Sequence, residues 1–393
     1  MGERAHAVRK GYSVMIEWLG IGHLFELSRS EAIAGFFTPL VIFAVFFLAQ
    51  IILPAWRVPG YVINPETGAP RNYRLNGLLV FVIALVVWAF ELTGMPRDWF
   101  YRSSIYAVAG GTVFATTLTI IAVFSQPRGK VKNPILALWF GRAHELSFFN
   151  ERFDVKTYLY AVGGTMLSLN ALSGAVYHYE RFGEDSNPGV FLYAAFFTFY
   201  VLDYFIFERV LLYTYDLIHE NLGFKLFWGG LVVYGWLFIL PLWGLAVYPA
   251  PGFSPAWTSV WLIGTTALFL FGWGISRGAN NQKYTFKRWP DRKFLCLIEP
   301  EYIEAGDRRI LCSGLWGVAR HFNYMGEGFL ALAIALVFGY FSNLWAWTYF
   351  VFIVSMFTCR QRDDDRHCAE KYGAEKWAEY QARVKYRIVP GVY

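Results

Sequence analysis

The sequence predicts an all-α, polytopic membrane protein of about ten transmembrane helices. Three observations carry that expectation. Hydrophobic residues make up 56% of the 393 positions and charged residues only 16%, against about 25% charged in ordinary globular domains. Aromatic residues reach 20%. Apolar runs approaching the roughly 20 residues that cross a bilayer recur along the chain.

The runs fall in order near Ile33–Leu53, Leu75–Leu92, Ile105–Phe124, Tyr158–Tyr177, Val190–Phe207, Leu226–Val247 and Trp257–Ile275. Two shorter ones, Gly326–Phe341 and Leu344–Phe357, are close together and read as a hairpin. A half-buried helix is expected around Gly314–Tyr324. The stretch Met1–Phe25 lacks the basic start, apolar core and small-residue cleavage site of a signal peptide and reads as an amphipathic lead-in. Pro59–Leu75 and Pro127–Pro134 read as connectors. Hydrophilic stretches at Arg277–Arg309 and from Arg360 onward are rich in Lys and Arg, which assigns both to the cytoplasmic side.

Several functions are disfavoured at once. The net charge of +6 marks cytoplasmic loops in such a chain rather than a nucleic-acid surface. The cysteines Cys296, Cys312, Cys359 and Cys368 form no CxxC pair and no zinc-spaced cluster, so neither a metal site nor a disulfide scaffold is expected. Gly20-Ile-Gly22 lacks the third glycine of a Rossmann fingerprint, and there is no Walker loop.

Four constellations remain. Tyr200, Asp203, Tyr204 and Glu208 are spaced to share one helix face inside an apolar run. Carboxylates there must face the protein interior, so the face is either structural or a buried acid site, and the polar residues Asp216, His219 and Glu220 continue it. Trp316, Arg320, Asn323, Tyr324 and Glu327 would line one face of a helix and suit a polar aromatic ligand. Arg360, Asp364, Cys368, Lys371 and Tyr372 fall on one helical stripe, with Trp377, Tyr380 and the ring-rich Tyr386–Tyr393 ending beyond it. Arg277 through Arg288, with Asn280, Asn281, Gln282, Lys283 and Lys287, sets cations beside amides, which could hold phosphates, although for that segment taken by itself positive-inside charge is the better account.

These segments resemble one family. Ser313-Gly-Leu-Trp-Gly-Val-Ala-Arg-His-Phe-Asn-Tyr324 is similar to the sterol reductase signature. Arg362-Asp, Cys368-Ala-Glu-Lys-Tyr-Gly, Trp377, Tyr380, Arg387-Ile-Val-Pro390 and Tyr393 resemble the family's C-terminal pattern. Arg277-Gly-Ala-Asn, Gln282-Lys283, Leu202-Asp-Tyr-Phe205, Asp216, His219-Glu220 and Phe224 resemble its middle blocks. The family includes the delta-14 and delta-7 sterol reductases and the membrane region of the lamin B receptor. Departures occur at Leu315, where an aromatic residue is common, at Glu327 for Asp, at Lys287 for Arg, at Asp363, at Gly229 or Gly230, and in one extra residue between Gly373 and Trp377.

The resemblance implies reduction of a sterol carbon–carbon double bond with NADPH, by protonation and then hydride transfer. The expected bond is C14–C15, with a delta-7 enzyme as alternative. It places cofactor contacts on Lys283, Lys287, Arg288, Leu311, Trp316, Asn323, Tyr324, Arg360, Asp364, Cys368, Lys371, Tyr372 and Tyr380. The proton-delivery candidates are Tyr200, Asp203 and Tyr204, with Asp364 or Asp365 as rivals. The organisation implied is a lead-in over residues 1–30, membrane helices with a sterol-side cavity over 31–276, and an NADPH-binding module with the last membrane helices over 277–393. Partners are then a sterol or related polycyclic lipid and membrane lipids, in the endoplasmic reticulum of a eukaryote or the inner membrane of a bacterium. An isoprenylcysteine methyltransferase-like enzyme using S-adenosylmethionine is a competing reading, although such enzymes place a Pro where this chain has Phe322. A non-catalytic scaffold and a transporter are the others.

Overall fold

The structure, a computed structural model, describes residues 19–64, 67–127 and 133–393; most of the expected lead-in lies outside them. It is 66% helix. Among the described residues, six helical runs are long and apolar enough to cross a membrane: Arg29–Ile52 (α1), Ser104–Phe124 (α3), Val155–Phe182 (α4) with the turn after it, Pro188–Ile206 (α5), Phe224–Leu245 (α7) and Pro255–Arg288 (α8). Gly77–Ala89 (α2) and Phe322–Leu336 (α10) are apolar but shorter.

Local chemistry sets the helix starts. Ser28 and Glu31 form a reciprocal capping box at α1. Asn187-Pro188 and Ser254-Pro255 open α5 and α8, each with a side-chain oxygen accepting an otherwise unpaired backbone N–H and proline at the first helical position. Pro59–Leu75, expected to be a connector, instead falls within an antiparallel hairpin of β1 (Trp56–Ile63) and β2 (Pro70–Leu75). From β2, Arg74 donates to the carbonyls of Gln50, Ile51 and Leu53, which supplies partners that the end of α1 lacks in lipid. A two-residue pair, β3 (Ser147–Phe148) with β4 (Phe153–Asp154), leads into α4.

The chain divides into two compact units. The first holds the described residues up to Leu212 together with Asp216–Pro251. Its core runs along α4, which is enclosed on most sides: Leu159, Val162, Met166 and Leu169 pack with Leu231, Val232 and Trp236 of α7. The middle of α7, Gly229–Leu237, is π-helical, an irregularity that often marks functional sites. Glu208 does not continue the face of Tyr200 and Tyr204. Helix α5 ends at Ile206, and Glu208 accepts from the Gly77 N–H at the start of α2, where a helix terminus favours a carboxylate.

The second unit holds Tyr213–Tyr215 and Gly252–Tyr393. A hairpin of β5 (Tyr302–Ala305) and β6 (Arg308–Leu311) follows α8, then the short helix α9 (Leu315–Val318), α10, and the long α11 (Leu344–Tyr372) and α12 (Ala374–Arg383). The expected hairpin of the last two apolar runs is α10 with the first half of α11. Trp377 and Tyr380 on the inner side of α12, and Val384 just beyond its end, are buried against Ile303, Ala305, Ile310 and Cys312. Burying 150–250 Å² per large ring at 25 cal/mol/Å² contributes about 4–6 kcal/mol each, as an upper bound.

Candidate cofactor site and acid cluster

Helix α8 is 34 residues long, or about 51 Å at 1.5 Å per residue, against a hydrocarbon core of about 30 Å. Its charged end, from Arg277 onward, therefore stands beyond the apolar layer. Helix α10 approaches it closely because both surfaces carry glycine. A Cβ on Gly272 would lie 2.7 Å from the Gly326 carbonyl oxygen, and one on Gly326 would lie 2.5 Å from the Ser276 nitrogen. Ser276 Oγ donates to Glu327 Oε1 at 2.5 Å, fixing the register. The first turn of α10 is thereby set beside the charged end of α8, where Asn323 Nδ2 reaches Asn280 Oδ1 at 3.4 Å.

Trp316 and Arg320 do not share a helix with Asn323 and Tyr324. The chain is extended at Ala319, and the N–H groups of Arg320 and His321 donate to the carbonyls of Tyr386 and Arg387 at 3.0 and 2.8 Å. The Arg320 guanidinium, 5% exposed, also donates to the carbonyls of Val384 and Lys385. This bridge turns the Trp316 segment away from the α10 axis while keeping both in the module.

Trp316 Nε1 donates to the Ala279 carbonyl at 2.7 Å, and the Lys283 ammonium lies 5.4 Å from the indole centroid. One turn further along α8, Lys287 donates to Tyr372 Oη at 3.1 Å and to the Arg309 carbonyl at 3.3 Å. Tyr372 stacks on Trp377, which packs on Tyr380, and the Tyr380 hydroxyl donates to the Trp316 carbonyl. Leu311 is buried at the end of β6. Lys371 flanks Tyr372, and Arg308 donates to the Lys371 carbonyl. Arg308 was not foreseen; in the sequence it is one cation among many in a basic stretch.

The two aspartates of α11 have different settings. Tyr324 Oη donates to Asp364. Asp365 meets His321 Nε2 at 3.1 Å, Arg320 at 3.6 Å and Arg387 at 3.8 Å. Burial pushes Asp365 up, but the His321 hydrogen bond and the charges of His321, Arg320 and Arg387 outweigh it and hold its carboxyl below the usual carboxylate range. Burial pushes the Cys368 thiol, on the same helix, up to about 11 despite Lys283. Arg288 is exposed beside Trp289, away from this group, and Arg360 lies over Tyr215.

In the first unit, Tyr200, Asp203 and Tyr204 sit on α5, with Asp203 buried. The Tyr204 ring lies nearly parallel to Tyr160 of α4 at 6.1 Å. Its hydroxyl is enclosed and has no hydrogen-bond partner among the described residues.

A family model described as the Ergosterol biosynthesis ERG4/ERG24 family matches residues 10–393. The chain belongs to this family. An ERG4/ERG24 relative, the Delta(14)-sterol reductase of Methylotuvimicrobium alcaliphilum, is 32% identical over 381 residues, covering 90% of this chain and 82% of the relative. The Delta(14)-sterol reductase of Arabidopsis thaliana is 29% identical over 369 residues, covering 89% and 95%. The Delta(14)-sterol reductase TM7SF2 of Mus musculus is 31% identical over 365 residues, covering 88% and 82%. Membership in ERG4/ERG24 agrees with the apolar helices and with the sterol reductase resemblance read from the motifs.

Two observations test the module against a phosphorylated dinucleotide. Lys287 hydrogen-bonds only neutral oxygens, and no carboxylate pairs with it among the described residues, so a half-buried cation is left for an anion to balance. Asn323 Oδ1 is buried without a hydrogen-bond partner, an open acceptor for an amide N–H such as a nicotinamide carboxamide carries. The residues fit the group.

Proposed function

We propose that this protein is a sterol reductase that uses NADPH to saturate the C14–C15 double bond. The observation that carries the reading is the ring-and-cation arrangement of the second unit, in a chain whose family relatives are named Delta(14)-sterol reductases. Lys283, Lys287, Lys371 and Arg308 hold phosphates, and Trp316, Tyr324 and Tyr372 hold flat rings. Asn323 and Tyr324 orient the nicotinamide end, and Leu311, Cys368 and Tyr380 support the wall. When bound, the reduced nicotinamide supplies a hydride. A positive-inside orientation puts this module on the cytoplasmic side.

An isolated alkene is unpolarised, so the protein must deliver a proton as the hydride arrives. We assign that proton to Tyr204. The Tyr324 hydroxyl is committed to Asp364, and Asp365 remains ionised at neutral pH among its cations. The Tyr204 hydroxyl is enclosed and uncommitted. Tyr200 and Asp203 flank it on α5, and Asp364 is the rival donor. A flat apolar substrate enters sideways from the bilayer, its own solvent.

The test is NADPH oxidation by purified protein in lipid nanodiscs, with delta-14, delta-7 and side-chain unsaturated sterols offered separately and products identified by mass spectrometry. Saturation of the delta-14 sterol is expected. Turnover restricted to a delta-7 sterol would reassign the bond, and binding of S-adenosylmethionine in place of NADPH would reject the reading.

A further inference from the structure

The β1–β2 hairpin of the first unit sets two arginines against each other. Arg57 and Arg74 are direct partners in its antiparallel register, so their side chains leave one face with Cβ atoms about 5 Å apart. Like charges in that position destabilise a strand pair. A third arginine, Arg152, comes from the β3–β4 turn, and β4 packs on β2. Burial, then the charges of Arg152 and Arg57, hold the Arg74 guanidinium below its ordinary value. The neighbouring cations are balanced. Arg71 lies 3.9 Å from Glu145 and donates to Ser147 at 2.8 Å. Lys156, at the start of α4, pairs with Glu145 at 3.2 Å and donates to the Leu217 carbonyl of the short helix α6 (Tyr215–Ile218) at 3.0 Å. Arg74 is spent on the carbonyls that end α1. Among the described residues no carboxylate pairs with Arg57, Arg74 or Arg152.

The depth of this cluster follows from α1. Its 24 residues span about 36 Å, against a hydrocarbon core of about 30 Å, so its last turn reaches the headgroup layer. Arg74 grips that turn. The Phe149 ring packs edge-on against Phe47 of α1 at 6.1 Å, which holds the β3–β4 turn at the same level. Ile52, Trp56 and Phe149 are exposed there, Trp56 to 81%, as the apolar side chains of a membrane interface are. Lipid phosphates lie in that layer, and a guanidinium binds phosphate through paired N–H groups. Positive-inside bias accounts for the sign of the cluster. It does not account for three guanidinium groups from three chain segments meeting without a carboxylate while Arg71 and Lys156 share one.

We propose that Arg57, Arg74 and Arg152 form a headgroup site for an anionic phospholipid, whose acyl chains lie along the apolar flank of α1. A positive-inside orientation puts the cluster in the cytoplasmic leaflet, where anionic lipids concentrate. The lipid phosphate offsets the repulsion between Arg57 and Arg74. Through Arg74 it also steadies the end of α1 and the hairpin that follows. The site does not depend on the reaction the protein catalyses.

The test titrates full-length protein in zwitterionic detergent with short-chain phosphatidylserine, short-chain phosphatidylcholine and inorganic phosphate, read by thermophoresis and thermal melts. Arg57→Gln and Arg152→Gln are the variants, since Arg74→Gln would also strip the end of α1 of its donors. Phosphatidylserine is expected to saturate the wild type and to raise its thermal midpoint. Each variant is expected to bind it about tenfold or more weakly. Without lipid neither variant should melt below the wild type, because a like charge has gone. Arg292→Gln, which removes an exposed arginine of the second unit, is expected to bind as the wild type does. Unchanged affinity in both hairpin-cluster variants, an equal loss in Arg292→Gln, or equal binding of phosphatidylcholine overturns the site. Inorganic phosphate that binds as tightly as phosphatidylserine overturns the lipid as its occupant. Should one variant not fold, the affinity of the other decides.

Discussion

Gly314→Ala should destabilise the second unit by an amount that depends on Gln282. Gly314 has φ 60° and ψ −135°, a conformation outside the regions that side chains favour. An added Cβ would lie 2.3 Å from Gln282 Nε2. That amide is 2% exposed. It donates to the Ser313 carbonyl and accepts from the Leu315 N–H, both at 3.0 Å, and so fastens α8 to α9 beside Lys283 and Trp316. Backbone strain costs about 1–3 kcal/mol. Displacing the amide removes two hydrogen bonds of roughly 1 kcal/mol each and strands buried groups. The sum is about 3–6 kcal/mol, or on the order of 10 °C in thermal midpoint at about 2–4 °C per kcal/mol. Thermal melts in one detergent would be compared for Gly314→Ala, Gln282→Ala and the double variant. With the amide gone only the strain remains, so Gly314→Ala should cost about 1–3 kcal/mol in that background, a coupling of about 2–3 kcal/mol. Equal losses in the two backgrounds would refute the steric and hydrogen-bond reasoning.

Alkylation at pH 8 should label exposed Cys296 well before Cys368, whose thiol at about 11 is ionised roughly one part in a thousand; peptide mapping before and after denaturation reads the order. Asp365, held below the ordinary carboxylate value of about 3.9, stabilises the fold above that pH and loses its contribution as pH falls through the lowered value. The thermal midpoint should therefore fall below about pH 4, and Asp365→Asn should flatten that fall. Lys287→Met should raise the NADPH dissociation constant about 10–100-fold, from the loss of a charge-assisted bond of roughly 1.5–3 kcal/mol, without lowering the apoprotein's midpoint; titration calorimetry and melts check the two halves.

Much of the membrane architecture was legible because lipid leaves the backbone few options. A run that must satisfy its own hydrogen bonds in hydrocarbon is helical, and its length is nearly fixed. The stripe of Asp364, Cys368, Lys371 and Tyr372 was legible for a related reason, since one continuous helix carries it. The break at Ala319 was not. Trp316, Asn323, Tyr324 and Glu327 keep helical spacing, and the partners that straighten the chain between them are carbonyls at Tyr386 and Arg387, far along the sequence. The β1–β2 hairpin was read as a connector because Pro65, Gly68 and Pro70 are breakers when judged locally, whereas cross-strand pairing accommodates Pro70 opposite Ile63 at the hairpin's end. Glu208 was assigned to the acid face by periodicity, which cannot see that α5 ends two residues earlier.

The excess length of α8 makes one helix serve two solvents, and its residue types change where the solvent does. Trp261, Thr265 and Phe269 are buried along the apolar part, Gly272 and Ser276 draw α10 in to backbone distance, and the amides and lysines follow within the next turns. Close approach at Gly272 is what sets the first turn of α10 beside Asn280, so the position of Asn323 depends on a packing contact inside the apolar segment. A larger residue at Gly272 would push α10 outward at its first turns. Its effect should then appear in cofactor affinity, although that residue lies more than two helical turns from Lys283.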